Sequence, residues 1–138
     1  MSKNYNILVT GGAGFIGSAL CRNIIKNTNN NLIILDRQTY ASNLKSIKNI
    51  LQNKNVYFFK GSIGNKKIVE EILLKFNPQY IFNLAAETHV DNSISNPKAF
   101  IKTNIVDTHQ FIESILKYYM TLEKKKAQLF KFLQISTD

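Results

Sequence analysis

Short runs of apolar and β-branched residues alternate along the chain with longer stretches in which apolar residues recur every three or four positions. The runs predict strands over Tyr5–Thr10, Asn31–Asp36, Val56–Lys60, Tyr80–Ala85 and Leu129–Ile135. The longer stretches predict helices over Phe15–Lys26, Ser42–Gln52, Lys66–Phe76 and Pro97–Met120. Asn77-Pro78 ends the third of these helices, and Asn96 can cap the fourth, whose first turn accepts Pro97. In the first helix Ile16, Ala19, Leu20 and Ile24 are expected on the packed face.

The strands read as near-continuous apolar runs such as "NLIILD" and "VYFFK", the pattern of parallel strands buried on both faces. Strand and helix alternate, so the expected class is α/β, with right-handed crossovers building a doubly wound parallel sheet. The expected strand order is 3-2-1-4-5, the larger part of a Rossmann-like sheet. In the long helix Ile101, Ile105, Thr108, Ile112, Ile115 and Tyr119 form the mostly apolar stripe expected to pack on that sheet, at steps of four and three. Phe100, Phe111 and Tyr118 lie off it, as contacts for a further domain or a second subunit.

Composition narrows the function classes. The 138 residues are 44% hydrophobic, enough for the core of one domain. No apolar run reaches the roughly 18 residues of a membrane helix, and four glycines interrupt the apolar N-terminus, so a cytoplasmic protein without a signal peptide is expected. The single cysteine, Cys21, excludes an internal disulfide framework and reads as a small buried residue. The net charge of +9 is spread over loops and helix faces; only Lys124-Lys125-Lys126 forms a run, read as a solvated loop. No nucleic-acid partner follows from it, although a basic balance suits an anionic small ligand. His89 and His109 form no metal-ligand set.

The chemistry begins at "ILVTGGAGFIG". Gly12 to Gly17 spell GxGxxG, and Gly11, Gly14 and Gly17 spell GxxGxxG, between a strand and a helix. Glycine lets backbone N–H groups approach a pyrophosphate, and a helix N-terminus adds partial positive charge. Asp36, at the end of the second strand and about 20 residues on, suits an adenosine ribose. Its charge repels a 2′-phosphate and favours NAD over NADP; Arg37 beside it could pair with that phosphate and points the other way.

The stretches "TGGAGFIGSAL", "LDRQTYASNLKSI", "NLAAETHVDNSISNP", "FIKTNIVDT" and "QISTD" together resemble the dTDP-glucose 4,6-dehydratases, which are extended short-chain dehydrogenases/reductases. The resemblance covers essentially the whole chain. It implies NAD as cofactor and dTDP-glucose as substrate, and a homodimer for the intact enzyme. It places Gly11, Gly14, Phe15, Ile16 and Gly17 at the pyrophosphate and Asp36, Arg37, Gln38 and Thr39 around the adenosine ribose. Ser62-Ile63 stands where the family usually has Asp-Ile facing the adenine amino group. Leu84, Ala85, Ala86, Glu87 and Thr88 match the segment lining the cofactor after the fourth strand, with Thr88 also near substrate, and Thr103 matches a cofactor contact on the long helix. Thr137 matches a hydroxyl that holds the sugar, and Asp138 the general acid of dehydration.

The reaction implied is oxidation at sugar C4, loss of water across C5 and C6, and return of the hydride to C6, with acid–base groups placed around the nicotinamide. The sequence stops at Asp138, before the glutamate and the Tyr-x-x-x-Lys pair of the family. It is therefore expected to be the N-terminal part, residues 1–138, of an NAD-binding domain, without the substrate domain, inactive alone and prone to associate through an open sheet edge. Two rivals remain. One is another nucleotide-sugar enzyme such as a 4-epimerase, which more often carries Ser-Ser or Ser-Ala at Thr137-Asp138; the other is a non-catalytic dinucleotide-binding module.

Overall fold

The computed structural model describes residues 4–38, 43–88, 94 and 97–136. Its centre is a five-stranded parallel sheet, in the order β3-β2-β1-β4-β5. The strands are β1 (Asn6–Thr10), β2 (Asn31–Asp36), β3 (Val56–Lys60), β4 (Tyr80–Asn83) and β5 (Lys131–Gln134). Helices α1 (Phe15–Asn27), α2 (Lys48–Leu51), α3 (Lys66–Phe76), α4 (Pro97–Ile101), α5 (Thr108–Met120) and α6 (Lys124–Leu129) connect them. The register pairs Leu8 with Ile33 and with Ile81, so the apolar centres of the three inner strands lie side by side.

Both faces of β1, β2 and β4 are covered, which explains the uninterrupted apolar runs of β1 and β2; β3 and β5 are the sheet's edges, and none of their residues is fully buried, although "VYFFK" reads as a strand buried on both faces. Ile7, Val9, Leu32 and Ile34 pack with Cys21, Ile24, Ile47 and Ile50 on the α1–α2 side. Leu8, Ile33, Leu35 and Ile81 pack with Val69, Ile72, Leu73, Phe111, Ile115 and Tyr118 on the α3–α5 side. Each such Leu or Ile contributes about 1.5–3 kcal/mol by leaving water.

Several boundaries differ from the sequence expectation. β4 ends at Asn83, two residues early, because the chain there leaves the ladder to line a cleft. The stretch over 42–52 is a 3₁₀ turn (Leu44–Ser46) followed by the single turn of α2. Lys124-Lys125-Lys126 opens α6 rather than lying in a loop, and α6 takes Leu129 from the expected last strand. In α1 the buried face is Gly17, Ser18, Cys21 and Ile24, while Ile16 is exposed. Gly17 has to pack inward against the glycine loop, and that turns Ile16 out.

The long helix departs most. Residues Lys102–Asp107 are wound as a π-helix between α4 and α5. The buried side carries Thr103, Asp107, Phe111, Ser114, Ile115 and Tyr118. Of the expected stripe only Ile115 is buried; Ile105 is 62% exposed, and Ile101, Ile112 and Tyr119 are also exposed, whereas Phe111 is 0% exposed. Phe111 and Tyr118, expected to face another domain or subunit, belong to the core, and the Tyr118 hydroxyl donates to the Pro78 carbonyl at 3.1 Å. The helix is apolar on two sides, and the buried side is the one interrupted by Thr103, Asp107 and Ser114, so hydrophobicity alone selects the other. Asn96, the expected cap, lies outside the described residues.

Candidate functional site

A cleft opens at the carboxyl ends of β1, β2 and β4, where the strand order reverses. Open α/β sheets hold their ligands at such a switch point. Its floor is the glycine loop. Gly11 has φ of +66°, and a Cβ there would lie 2.7 Å from the Leu84 carbonyl oxygen. A Cβ on Gly17 would lie 2.1 Å from the Gly11 carbonyl oxygen. The loop thus closes on itself and on the end of β4 only without side chains. Gly14 is the N-cap of α1, and the Ser18 N–H donates to its carbonyl at 2.9 Å. The first N–H groups of this 13-residue helix therefore face the cleft end of the loop.

Asp36 ends β2 and is buried, its Oδ2 accepting the Ala13 N–H at 2.9 Å and its Oδ1 the Gln38 N–H at 2.7 Å. Gln38 has φ of +57°, a left-handed conformation that its hydrogen bond to Asp36 offsets. The carboxylate so ties the end of β2 to the glycine loop that follows β1. Arg37 spans the opening: its Nη1 donates to Thr103 Oγ1 at 2.8 Å, and its Nη2 lies 3.9 Å from Glu87 Oε1. Glu87 is held by a two-way clamp, its N–H donating to Asn104 Oδ1 at 2.8 Å and its carbonyl accepting from Asn104 Nδ2 at 2.9 Å.

Beneath the cleft runs a polar ladder. Thr10 Oγ1 donates to Asn83 Oδ1, Asn83 Nδ2 donates to Gln134 Oε1 at 2.7 Å, and the Ala85 N–H donates to Thr10 Oγ1 at 3.3 Å. It holds the ends of β1, β4 and β5 level and turns Leu84 and Ala85 into the cleft wall. Cys21 lies behind Gly12, and burial, then the negative charge of Asp36, pushes its thiol up to about 12. It is a packing residue and no nucleophile at neutral pH.

Of the residues expected at a dinucleotide, the structure brings Gly11, Gly14, Asp36, Arg37, Ile63, Leu84, Ala85, Ala86 and Thr103 to one cleft, with Glu87. Ser62 lines the adjoining recess, which shares Arg37 and Thr103. Phe15 and Ile16 are exposed in the first turn of α1, Gly17 is packed beneath the loop, and Gln38 lies beside Asp36. Thr88 is exposed and does not line the cleft. Thr39, Thr137 and Asp138 lie outside the described residues, as does His89. Among the described residues no cluster of His, Cys, Asp and Glu could hold a metal, and no helix is long and apolar enough to cross a membrane.

Asn104, Asn83, Gln134 and Asp107 escape a reading of the sequence. The first three act by pairing with groups 17 to 73 positions away, and no spacing rule reaches so far. "TNIVD" does contain a signal, namely polar residues at 103, 104 and 107 flanking the apolar pair Ile105-Val106.

The family model described as GDP-mannose 4,6 dehydratase matches residues 8–138. The dTDP-glucose 4,6-dehydratase of Salmonella typhimurium is 45% identical over 132 residues, which cover 96% of this chain and 37% of that one. The crystal structure of dTDP-glucose 4,6-dehydratase from Bacillus anthracis in complex with NAD superposes with a TM-score of 0.79 at 36% identity, over 96% of this chain and 37% of that one. UDP-glucose 4-epimerase from Thermotoga maritima, with UDP-glucose, gives 0.72 at 35% identity, over 82% of this chain and 34% of its own. The chain thus spans little more than a third of the length of the relatives it matches.

Proposed function

Because the chain belongs to the GDP-mannose 4,6 dehydratase family, we propose that it is the NAD-binding portion, residues 1–138, of a nucleotide-sugar 4,6-dehydratase acting on dTDP-glucose. The observation that carries this reading is the convergence of the side-chain-free loop, the buried Asp36 and the Arg37–Thr103 bridge on one cleft at the switch point. A Cβ at Gly11 or Gly17 would collide with the end of β4 or with the loop's own backbone, so the tight loop expected under a pyrophosphate depends on glycine at both positions.

Gly11 to Gly17 and the start of α1 would hold the pyrophosphate, and Asp36 would accept from the ribose. Engagement of Arg37 by Thr103 and Glu87 supports NAD over NADP, because the guanidinium already has partners within the fold. Leu84, Ala85 and Ala86 would pack on the cofactor and keep water from it. Bound NAD supplies reversible hydride transfer. Thr88 and Thr137 would position the sugar, and Asp138 would give a proton to the leaving hydroxyl. The segment leading to Thr137 is held at the sheet's carboxyl edge, the Ile135 N–H donating to the Asn83 carbonyl at 3.0 Å. That aspartate favours dehydration over epimerisation, a reaction in which no water leaves.

A homodimer of the intact enzyme is part of the proposal, supported by the exposed row Ile101, Ile105, Ile112, Leu116 and Tyr119. So is a cytoplasmic location, in keeping with a lone, buried and unpaired cysteine. The test is a calorimetric titration of the 138-residue chain with NAD and with NADP. Saturable NAD binding, at least about tenfold tighter than NADP, is expected, without turnover of dTDP-glucose since the sequence holds no Tyr-x-x-x-Lys. Absence of NAD binding by a folded chain would overturn the assignment.

A further inference from the structure

Beside the cleft, the loop after β3 meets the π-helical segment at a buried carboxylate. Asp107 is 1% exposed. Its Oδ2 accepts the Ser62 hydroxyl at 3.1 Å, and its Oδ1 pairs with Lys102 Nζ at 2.7 Å. A Cβ on Gly64 would lie 2.2 Å from Asp107 Oδ1, so the loop backbone is moulded around the carboxylate. The Gly64 N–H donates to Ser62 Oγ at 3.1 Å. Ser62 and Asp107 both line a recess together with Arg37 and Thr103, two residues that also line the cofactor cleft.

A serine hydroxyl has one hydrogen and two acceptor positions, and an ionised carboxylate only accepts. The hydrogen between Ser62 and Asp107 therefore comes from Ser62. With the Gly64 N–H on one lone pair, Ser62 has only an acceptor to offer the recess. The charge behind it strengthens that acceptor. Given the NAD reading, on which this inference rests, the pyrophosphate lies at Gly14 and the adenosine ribose at Asp36. The base then extends outward over β2 and β3, toward Gly61, Ser62 and Ile63. Adenine presents one hydrogen-bond donor on its Watson–Crick edge, the exocyclic amino group, where hypoxanthine presents a carbonyl.

We propose that Asp107 is a specificity-determining positioning residue: by fixing the Ser62 hydroxyl as an acceptor, it selects a base bearing an amino group over one bearing a carbonyl. Lys102 makes the direction of the effect testable. In Asp107→Asn the amide oxygen stays with Lys102, so the NH₂ faces Ser62 and donates to it. The serine hydrogen is then released toward the ligand, and the preference is lost or reversed.

The experiment titrates the 138-residue chain with NAD and with nicotinamide hypoxanthine dinucleotide, in wild type, Asp107→Asn, Ser62→Ala and the double variant. Wild type should prefer NAD by about tenfold or more, the usual effect of setting two acceptors against each other. Either single variant should bring the ratio to about one or below. Asp107→Asn should change nothing further once Ser62 is Ala. Equal weakening of both ligands by Asp107→Asn would mean a merely structural residue and would overturn the inference. Should that variant fail to fold, as read by circular dichroism, the ratio in Ser62→Ala decides; a ratio unchanged from wild type overturns it. A wild type that binds NAD without discriminating refutes this inference alone. One that is folded and binds neither ligand refutes the cofactor reading and this inference with it.

Discussion

The carboxylate of Asp36 accepts the backbone N–H of Ala13 at 2.9 Å, across 23 positions of sequence. One side chain thereby joins the end of β2 to the loop that leaves β1, and the acid expected at a ribose also shapes the loop expected at the pyrophosphate. Asp36→Ala should therefore act twice. Leaving the Ala13 N–H buried without this acceptor should lower stability by about 1–3 kcal/mol. NAD affinity should fall as well. Urea denaturation of the free chain measures the first effect and titration the second; a loss of affinity with unchanged stability would contradict the structural half of this account.

Gly17→Ala forces a methyl group against the Gly11 carbonyl, backbone on backbone, where no side chain can give way. Overpacking of this kind costs about 1–3 kcal/mol or more, and here it opens the loop on which a phosphate would rest. The midpoint of thermal unfolding should fall and NAD binding should disappear. Gly14→Ala is the milder comparison, since its Cβ would stand 3.2 Å from the same oxygen.

Burial holds the Cys21 thiol up at about 12 and the Tyr118 hydroxyl likewise at about 12. In the unfolded chain these groups ionise from about pH 9 and 10. Above those values the unfolded state binds fewer protons than the native one, so stability falls with rising pH between about 9 and 12 and is unaffected by these groups below. Denaturation midpoints across that range should show the decline, and Cys21→Ala should reduce it. A thiol reagent at pH 8 should label Cys21 only as fast as the fold opens; immediate labelling would contradict its burial.

The exposed row on α4, the π-helical segment and α5 should govern association. Ile105→Glu and Leu116→Glu add charge where both side chains are more than half exposed, so the monomer should keep its stability within about 0.5 kcal/mol. Sedimentation equilibrium should show dimer dissociation rising at least about tenfold. Association unaffected by either substitution would remove this face from the interface.

The strand order, the buried runs of β1 and β2, the glycine loop and Asp36 were all legible in the sequence, because each is a local pattern: apolar continuity, glycine spacing, an acid at a strand end. The sheet order followed from handedness and from the alternation of elements. The tertiary structure alone decided which face of the long helix is buried. Phe111 and Tyr118 turn inward and Ile105 and Ile112 outward, and both faces are apolar enough to have packed. It also decided what the polar residues on the buried face do. Thr103, Asn104 and Asp107 find Arg37, Glu87 and Ser62 only after the sheet has brought segments 17 to 66 positions apart together. A hydrogen bond needs its partner within about 3 Å, and no pattern along one strand or helix says which distant group will stand there.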